Sequence, residues 1–157
     1  AGPIYLRTSR APLPVLTKES DDFTIGKANV IRQGKDATVI ACGMMVSEAL
    51  QAADILSKDG IDLRVINMHT IKPIDEKMIL ACAKETGAIV TAEEHQMAGG
   101  LGSAVAEVLV QQAPVPVEMV AVKDTFGESG SPNELMKAYH LKDVDIAAAV
   151  KKAIGRK

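Results

Sequence analysis

The densest cluster of groups that could do chemistry is Glu93-Glu94-His95, followed after three residues by Gly99-Gly100-Leu101-Gly102-Ser103. Carboxylates beside an imidazole are the usual stock of general acid–base catalysis. Glycines at the mouth of a helix let backbone N–H groups converge, and a helix N-terminus favours negative charge. Gly99, Gly100, Gly102 and Ser103 are therefore a candidate anion site for a phosphate or carboxylate. The simpler reading is a tight turn that caps a helix. No nucleotide signature is completed: Val105 stands where the dinucleotide fingerprint needs its third glycine, and no Gly-Lys-Ser/Thr occurs. Adjacent residues in extended backbone point to opposite faces, so Glu93 and Glu94 are not expected to converge on one substrate, whereas Glu93 and His95 can share a face. Hydrogen bonding at a domain or subunit boundary is the expected role of this trio, ahead of catalysis.

Arg7 and Arg10 close a short β-rich segment, Pro3 to Thr8, just before a proline-rich stretch. Paired arginines suit bidentate phosphate binding, and solvated surface charges are the equal alternative. The other reactive residue types lack the company that chemistry needs. Cys42 and Cys82 have no CxxC partner and no histidine at zinc spacing, so they read as buried free thiols and no metal site is expected. His69 at a strand end and His140 at a helix end read as structural. Ser47, Ser57 and Ser103 lack a nucleophile-elbow context.

These residues must be positioned by regular elements, and the sequence marks them. Ala28 to Arg32 is a short strand. Ala37 to Cys42 is an unbroken apolar run, as expected for a strand covered on both faces. Leu63 to Met68, Ala88 to Ala92 and Val115 to Val122 read as further strands. Between them, Val46, Ala49, Leu50, Ala53 and Leu56 recur at helical spacing, and further helices are expected after Pro73 through Cys82 and over about Ser103 to Val110. Ser131-Pro132-Asn133-Glu134 is a capping-box helix start, and Ile146, Val150 and Ile154 share one face of a last helix. Alternating strands and helices predict an open, mostly parallel sheet with helices on both faces, whose ligands would bind beyond the carboxyl ends of the strands. Residues 11–26, with Pro12, Pro14 and a charged run, read as a linker over the surface, and the strand before it is an orphan.

The chain has 157 residues, enough for one ordinary domain, and 47% of them are hydrophobic, which excludes a disordered segment. Eighteen basic against 20 acidic residues leave a net charge of -2, without the basic excess that nucleic acid or an anionic membrane surface requires. No apolar run is long enough to span a bilayer. The aromatics are only Tyr5, Phe23, Phe126 and Tyr139, too few for a base-stacking platform. No signal or transit pattern opens the chain, and Ala1-Gly2-Pro3 without a methionine reads as the middle of something longer.

Five segments carry a family resemblance. Gly2-Pro3-Ile4-Tyr5-Leu6-Arg7-Thr8-Ser9-Arg10 resembles the strand that ends the middle, pyrimidine-binding domain of transketolases, and Phe23-Thr24-Ile25-Gly26-Lys27-Ala28 resembles the entry to their C-terminal domain. Arg64 through Thr70-Ile71-Lys72-Pro73-Ile74-Asp75, Glu93-Glu94-His95 with its glycine turn, and Phe126-Gly127-Glu128-Ser129-Gly130 extend the resemblance over essentially the whole chain. Within the thiamine-diphosphate superfamily, the Arg-Thr-Ser-Arg opening is more similar to transketolase than to 1-deoxyxylulose-5-phosphate synthase or the beta chain of 2-oxo acid dehydrogenases.

The resemblance implies a three-layer α/β/α fold with a five-stranded, mostly parallel (mixed) sheet whose first strand is antiparallel. It implies residues 1–10 as the terminal strand of a preceding domain, 11–26 as a linker and 27–157 as a transketolase C-terminal domain. It further implies ketol transfer between sugar phosphates with thiamine diphosphate and Mg in the complete enzyme, a cytoplasmic pentose phosphate activity, and a homodimer. The chain's partners would be the remaining transketolase domains or an N-terminal subunit. The family's cofactor-binding motifs lie in the preceding domains, so this chain alone is expected to bind no cofactor and to be inactive. Arg10 matches a position that meets substrate phosphate in the family. An autonomous module binding a phosphorylated ligand at the Gly99 to Ser103 turn is the alternative, as is an interaction domain of the dehydrogenase type.

Overall fold

Ala37–Ala41 has no polar alternation because both its faces are covered, and all five residues are buried. This strand, β2, lies at the centre of a five-stranded sheet in the computed structural model, which describes residues 2–157. Around it the chain runs β1 (Asn29–Arg32), β2, α1 (Met45–Ser57), β3 (Leu63–Asn67), α2 (Glu76–Thr86), β4 (Ile89–Gln96), α3 (Leu101–Gln112), β5 (Val117–Val122), α4 (Pro132–Ala138) and α5 (Asp143–Ile154). The strand order is β1-β3-β2-β4-β5. β1 pairs antiparallel with β3 at one edge, and the other pairings are parallel, as a mixed sheet requires.

The period of two along each strand divides the core. Val39, Val65 and Val90 pack on the side of α1 and α5, while Ile40, Ile66 and Ile89 pack on the side of α2 and α3. Two helical layers thus enclose the sheet. Local signals set the helix ends. Asp75 accepts from the Met78 amide at 3.2 Å and from the Ala28 amide at 3.0 Å, so one carboxylate starts α2 and anchors the approach to β1. Gly87 ends α2 at a φ of 65°. At α4 the Ser131 amide donates to Glu134 at 3.0 Å, closing the expected capping box.

Three details differ from the sequence reading. β4 does not end at Ala92: after an irregularity in register it continues to Gln96, which pairs with Val122, so Glu93, Glu94 and His95 ride on the strand instead of leaving it. α3 begins at Leu101, two residues before Ser103, for a reason given below. Residues 3–8 form no strand among the described residues. A strand needs a neighbour, and Ile4, Tyr5 and Leu6 stand about four-fifths exposed, at 79%, 88% and 80%. Residues 12–25 are exposed, but the end of this stretch is tied down. Phe23 lies over His69 with ring centroids 4.4 Å apart, and Gly26 (φ 82°) brings the chain against Pro73.

Candidate functional site

β4 carries the candidate residues at the carboxyl end of the sheet, and strand parity assigns each acid its side. Glu93 follows Ile89 and Thr91 onto the α3 side. There it is buried, and its carboxylate accepts from the Leu101 amide at 2.8 Å and from the Gly102 amide at 2.8 Å. The free amides of a helix N-terminus are satisfied by an internal anion, and this is what starts α3 at Leu101.

The glycines follow from the same arrangement. A Cβ on Gly100 would stand 2.1 Å from Glu93 Oε2, and one on Gly102 would stand 2.8 Å from Thr91 Oγ1. Gly99 takes a φ of 77° and donates its amide to Ser103 Oγ at 2.9 Å, while that hydroxyl donates to the Met97 carbonyl at 3.1 Å. Glu93, Gly99, Gly100, Gly102 and Ser103 are therefore brought together, and the carboxylate docked at the turn is the chain's own.

Glu94 points the other way, toward the turn between β2 and α1. Its Oε1 pairs with the Arg7 guanidinium, its Oε2 is buried without a hydrogen-bond partner, and the side chain is 17% exposed. Gly43 (φ 57°) lets the backbone pass beneath; a Cβ there would lie 3.1 Å from both carboxylate oxygens. His95 is exposed and joins neither acid, so the expected Glu93–His95 pair does not form. Arg10 is exposed too, and its side chain makes no hydrogen bond or ion pair among the described residues.

Cys42, beside Gly43, has its thiol pushed up to about 12 by burial first, then by the charges of Glu94 and Glu93, with Arg7 opposing. A reactive cysteine needs a lowered value, so this thiol is held protonated and inert. Both cysteines are free thiols, but only Cys82 is buried, its value raised chiefly by that burial, while Cys42 is half-buried where the sequence reading expected a buried thiol. His69 uses Nδ1 with Thr70 Oγ1 at 2.9 Å, and its buried Nε2 has no partner. Nothing in this set is an activated nucleophile or a poised acid–base pair. The arrangement binds helix, strand and arm to one another.

Sequence reasoning missed two such ties. Glu48 on α1 is 7% exposed, accepts from Lys142 Nζ at 2.7 Å and from the Asp143 amide at 2.9 Å, and so fixes the start of α5. Its place at helical spacing among the buried Met45, Ala49 and Ala52 was the available signal. Gln96 accepts from the Asp124 amide at 3.0 Å and donates to the Thr125 carbonyl at 2.9 Å, bracketing the loop after β5; no local pattern marks it.

Comparison with known proteins fits this picture. A family model described as the C-terminal domain of transketolase matches residues 26–146. The 6-deoxy-6-sulfo-D-fructose transketolase subunit SqwH of Clostridium sp. (strain MSTE9) is 46% identical over 156 residues, 99% of this chain and 48% of the relative. The transketolase of Rattus norvegicus is 41% identical over 153 residues, 96% of this chain and 24% of that protein. A solved structure titled split gene transketolase, inactive beta4 tetramer, superposes with a TM-score of 0.91 at 46% identity, covering 94% of this chain and 48% of that one. The chain thus spans about half the length of such subunits, 48%, or less. The chain belongs to the transketolase family, whose C-terminal domain it carries.

Proposed function

We propose that this chain serves a complete transketolase as its C-terminal domain, and that the complete enzyme moves a two-carbon ketol unit from a ketose phosphate to an aldose phosphate. The observation that carries the reading is the exposed arm: Ile4, Tyr5 and Leu6 are bare, while Arg7 next to them is fixed on Glu94. An apolar segment held in one place and lacking a neighbour suits a terminal strand that completes the sheet of a preceding, pyrimidine-binding domain. On this reading residues 2–10 belong to that sheet, 11–26 are the linker, and Arg10 emerges beside the substrate phosphate.

Thiamine diphosphate, with Mg as its divalent metal, would supply the electron sink in this chemistry. The described residues do not fit that group: the Leu101 and Gly102 amides at the glycine turn are taken by Glu93. No group of three or more His, Cys, Asp or Glu among the described residues is placed to hold a metal ion. On this reading the cofactor belongs to the remaining domains or an N-terminal subunit, and this chain alone is inactive. Its own tasks are to present Arg10 and to hold the assembly together, with a homodimer as the functional form. The proposal extends to a cytoplasmic role in pentose phosphate chemistry.

Reconstitution tests this reading. Neither this chain nor the missing part should transfer a ketol group alone, and mixing them with thiamine diphosphate and Mg should restore activity. In the complete enzyme Arg10→Ala should chiefly raise KM for sugar phosphates. Activity in the isolated chain, or a fall in kcat with KM untouched, would count against it.

A further inference from the structure

We propose that Glu94 is a positioning residue for Arg10. The inference rests on the reading above, in which Arg10 meets substrate phosphate. Among the described residues, the Arg7–Glu94 ion pair is the only side-chain hydrogen bond from residues 2–10 to the folded domain. Glu94 is well prepared to hold it. The residue rides on a strand of a packed sheet, its carboxylate is largely shielded, and Gly43 leaves room for both its oxygens. Sites carried on strands are held more sharply than sites on loops.

Arg10 follows Arg7 by three residues, a span of at most about 11 Å in extended chain. On its other side, Ala11 is half-buried and Pro12 is exposed, and both line a shallow groove with Met44, Glu48, Met136 and Lys142. Pro12 and Pro14 stiffen that exit. Arg10 thus lies between the ion pair before it and a proline-stiffened segment after it, while its own guanidinium is left free. An exposed arginine on a loose arm would have to be ordered by the substrate at a cost in affinity; one tethered by a nearby ion pair on a stiffened chain is partly ordered beforehand.

The test uses the complete enzyme with two aldehyde acceptors, one phosphorylated and one not. Glu94→Ala should raise KM for the phosphorylated acceptor about tenfold, leave kcat nearly unchanged, and not affect the unphosphorylated acceptor. Glu94→Asp should recover part of the loss, and Arg7→Ala combined with Glu94→Ala should add little to either alone. Glu94→Gln, which keeps the shape, serves if the alanine variant fails to fold. Arg10→Ala separates the two levels of the argument. If it gives a phosphate-specific rise in KM and Glu94→Ala does not, the positioning role is wrong while the reading of Arg10 stands. If Arg10→Ala shows no phosphate-specific effect, that reading fails and the inference falls with it. Equal losses on both acceptors, or a loss in kcat, would make Glu94 a structural residue only.

Discussion

Glu93 and Glu94 are neighbours on β4, yet one is satisfied by the domain itself and the other reaches across to a distant arm. Glu93 meets two backbone amides of α3, groups that any copy of this fold supplies. Glu94 meets Arg7, 87 residues away in sequence, and keeps one oxygen unpartnered. The α3 side is closed, with Gly100 fitted to the Glu93 carboxylate and Gly102 to Thr91 and Met119. The arm side is half built, with an inert thiol, an unpaired oxygen and apolar residues in solvent. Strand parity created the contrast.

The comparison can be broken most severely on the closed side. Gly100→Ala would force a Cβ to within 2.1 Å of Glu93 Oε2, expelling the carboxylate from the amides it caps. Urea denaturation should show a loss of about 4 kcal/mol, among the larger effects of a single substitution. Glu93→Gln keeps an acceptor oxygen and the shape but loses the charge, so a loss of about 2 kcal/mol is expected by the same method.

The thiol between the two acids gives a pH test. Folded Cys42 holds its proton up to about 12, whereas an unperturbed thiol titrates near 9.0. Between those values the unfolded state binds fewer protons, so this group makes stability fall as pH rises, by roughly 1.4 kcal/mol per unit. The stability difference between Cys42→Ala and the parent should therefore shift in favour of the variant above pH 9, and show no such trend below it.

The smallest effect belongs to the arm. Glu94→Gln should change stability by less than about 1 kcal/mol, because its partner Arg7 is substantially exposed. The same substitution should make Cys42 easier to ionise and quicken its alkylation at alkaline pH, and Arg7→Ala should slow it. Unchanged alkylation in both variants would remove the charge contacts claimed for that corner.

How much of this was legible in advance follows from the range of each interaction. Periodicity and capping chemistry are local, so β2, the Ser131 start and the two helical layers could be read from the chain. The opposed directions of Glu93 and Glu94 also followed from a local rule. The extension of β4 to Gln96 was hidden because it depends on pairing with Val122 across the sheet. The early start of α3 depends on a carboxylate eight residues back that arrives only when β4 and α3 pack. The contacts of Glu48 with the start of α5 and of Arg7 with Glu94 likewise join distant segments; the helical spacing of Glu48 marks its burial but not its partner, and Arg7 has no short-range signature.

The central claim is that this domain fills its own helix mouth and leaves the cofactor to the rest of the enzyme. It is tested most directly by thermal denaturation of the isolated chain titrated with thiamine diphosphate and Mg. A ligand at a hundred times its Kd stabilises by about 2.7 kcal/mol, a shift of several degrees for a chain of this size. The account predicts no shift at any concentration; a saturable rise in Tm would place a cofactor site within this chain and contradict it.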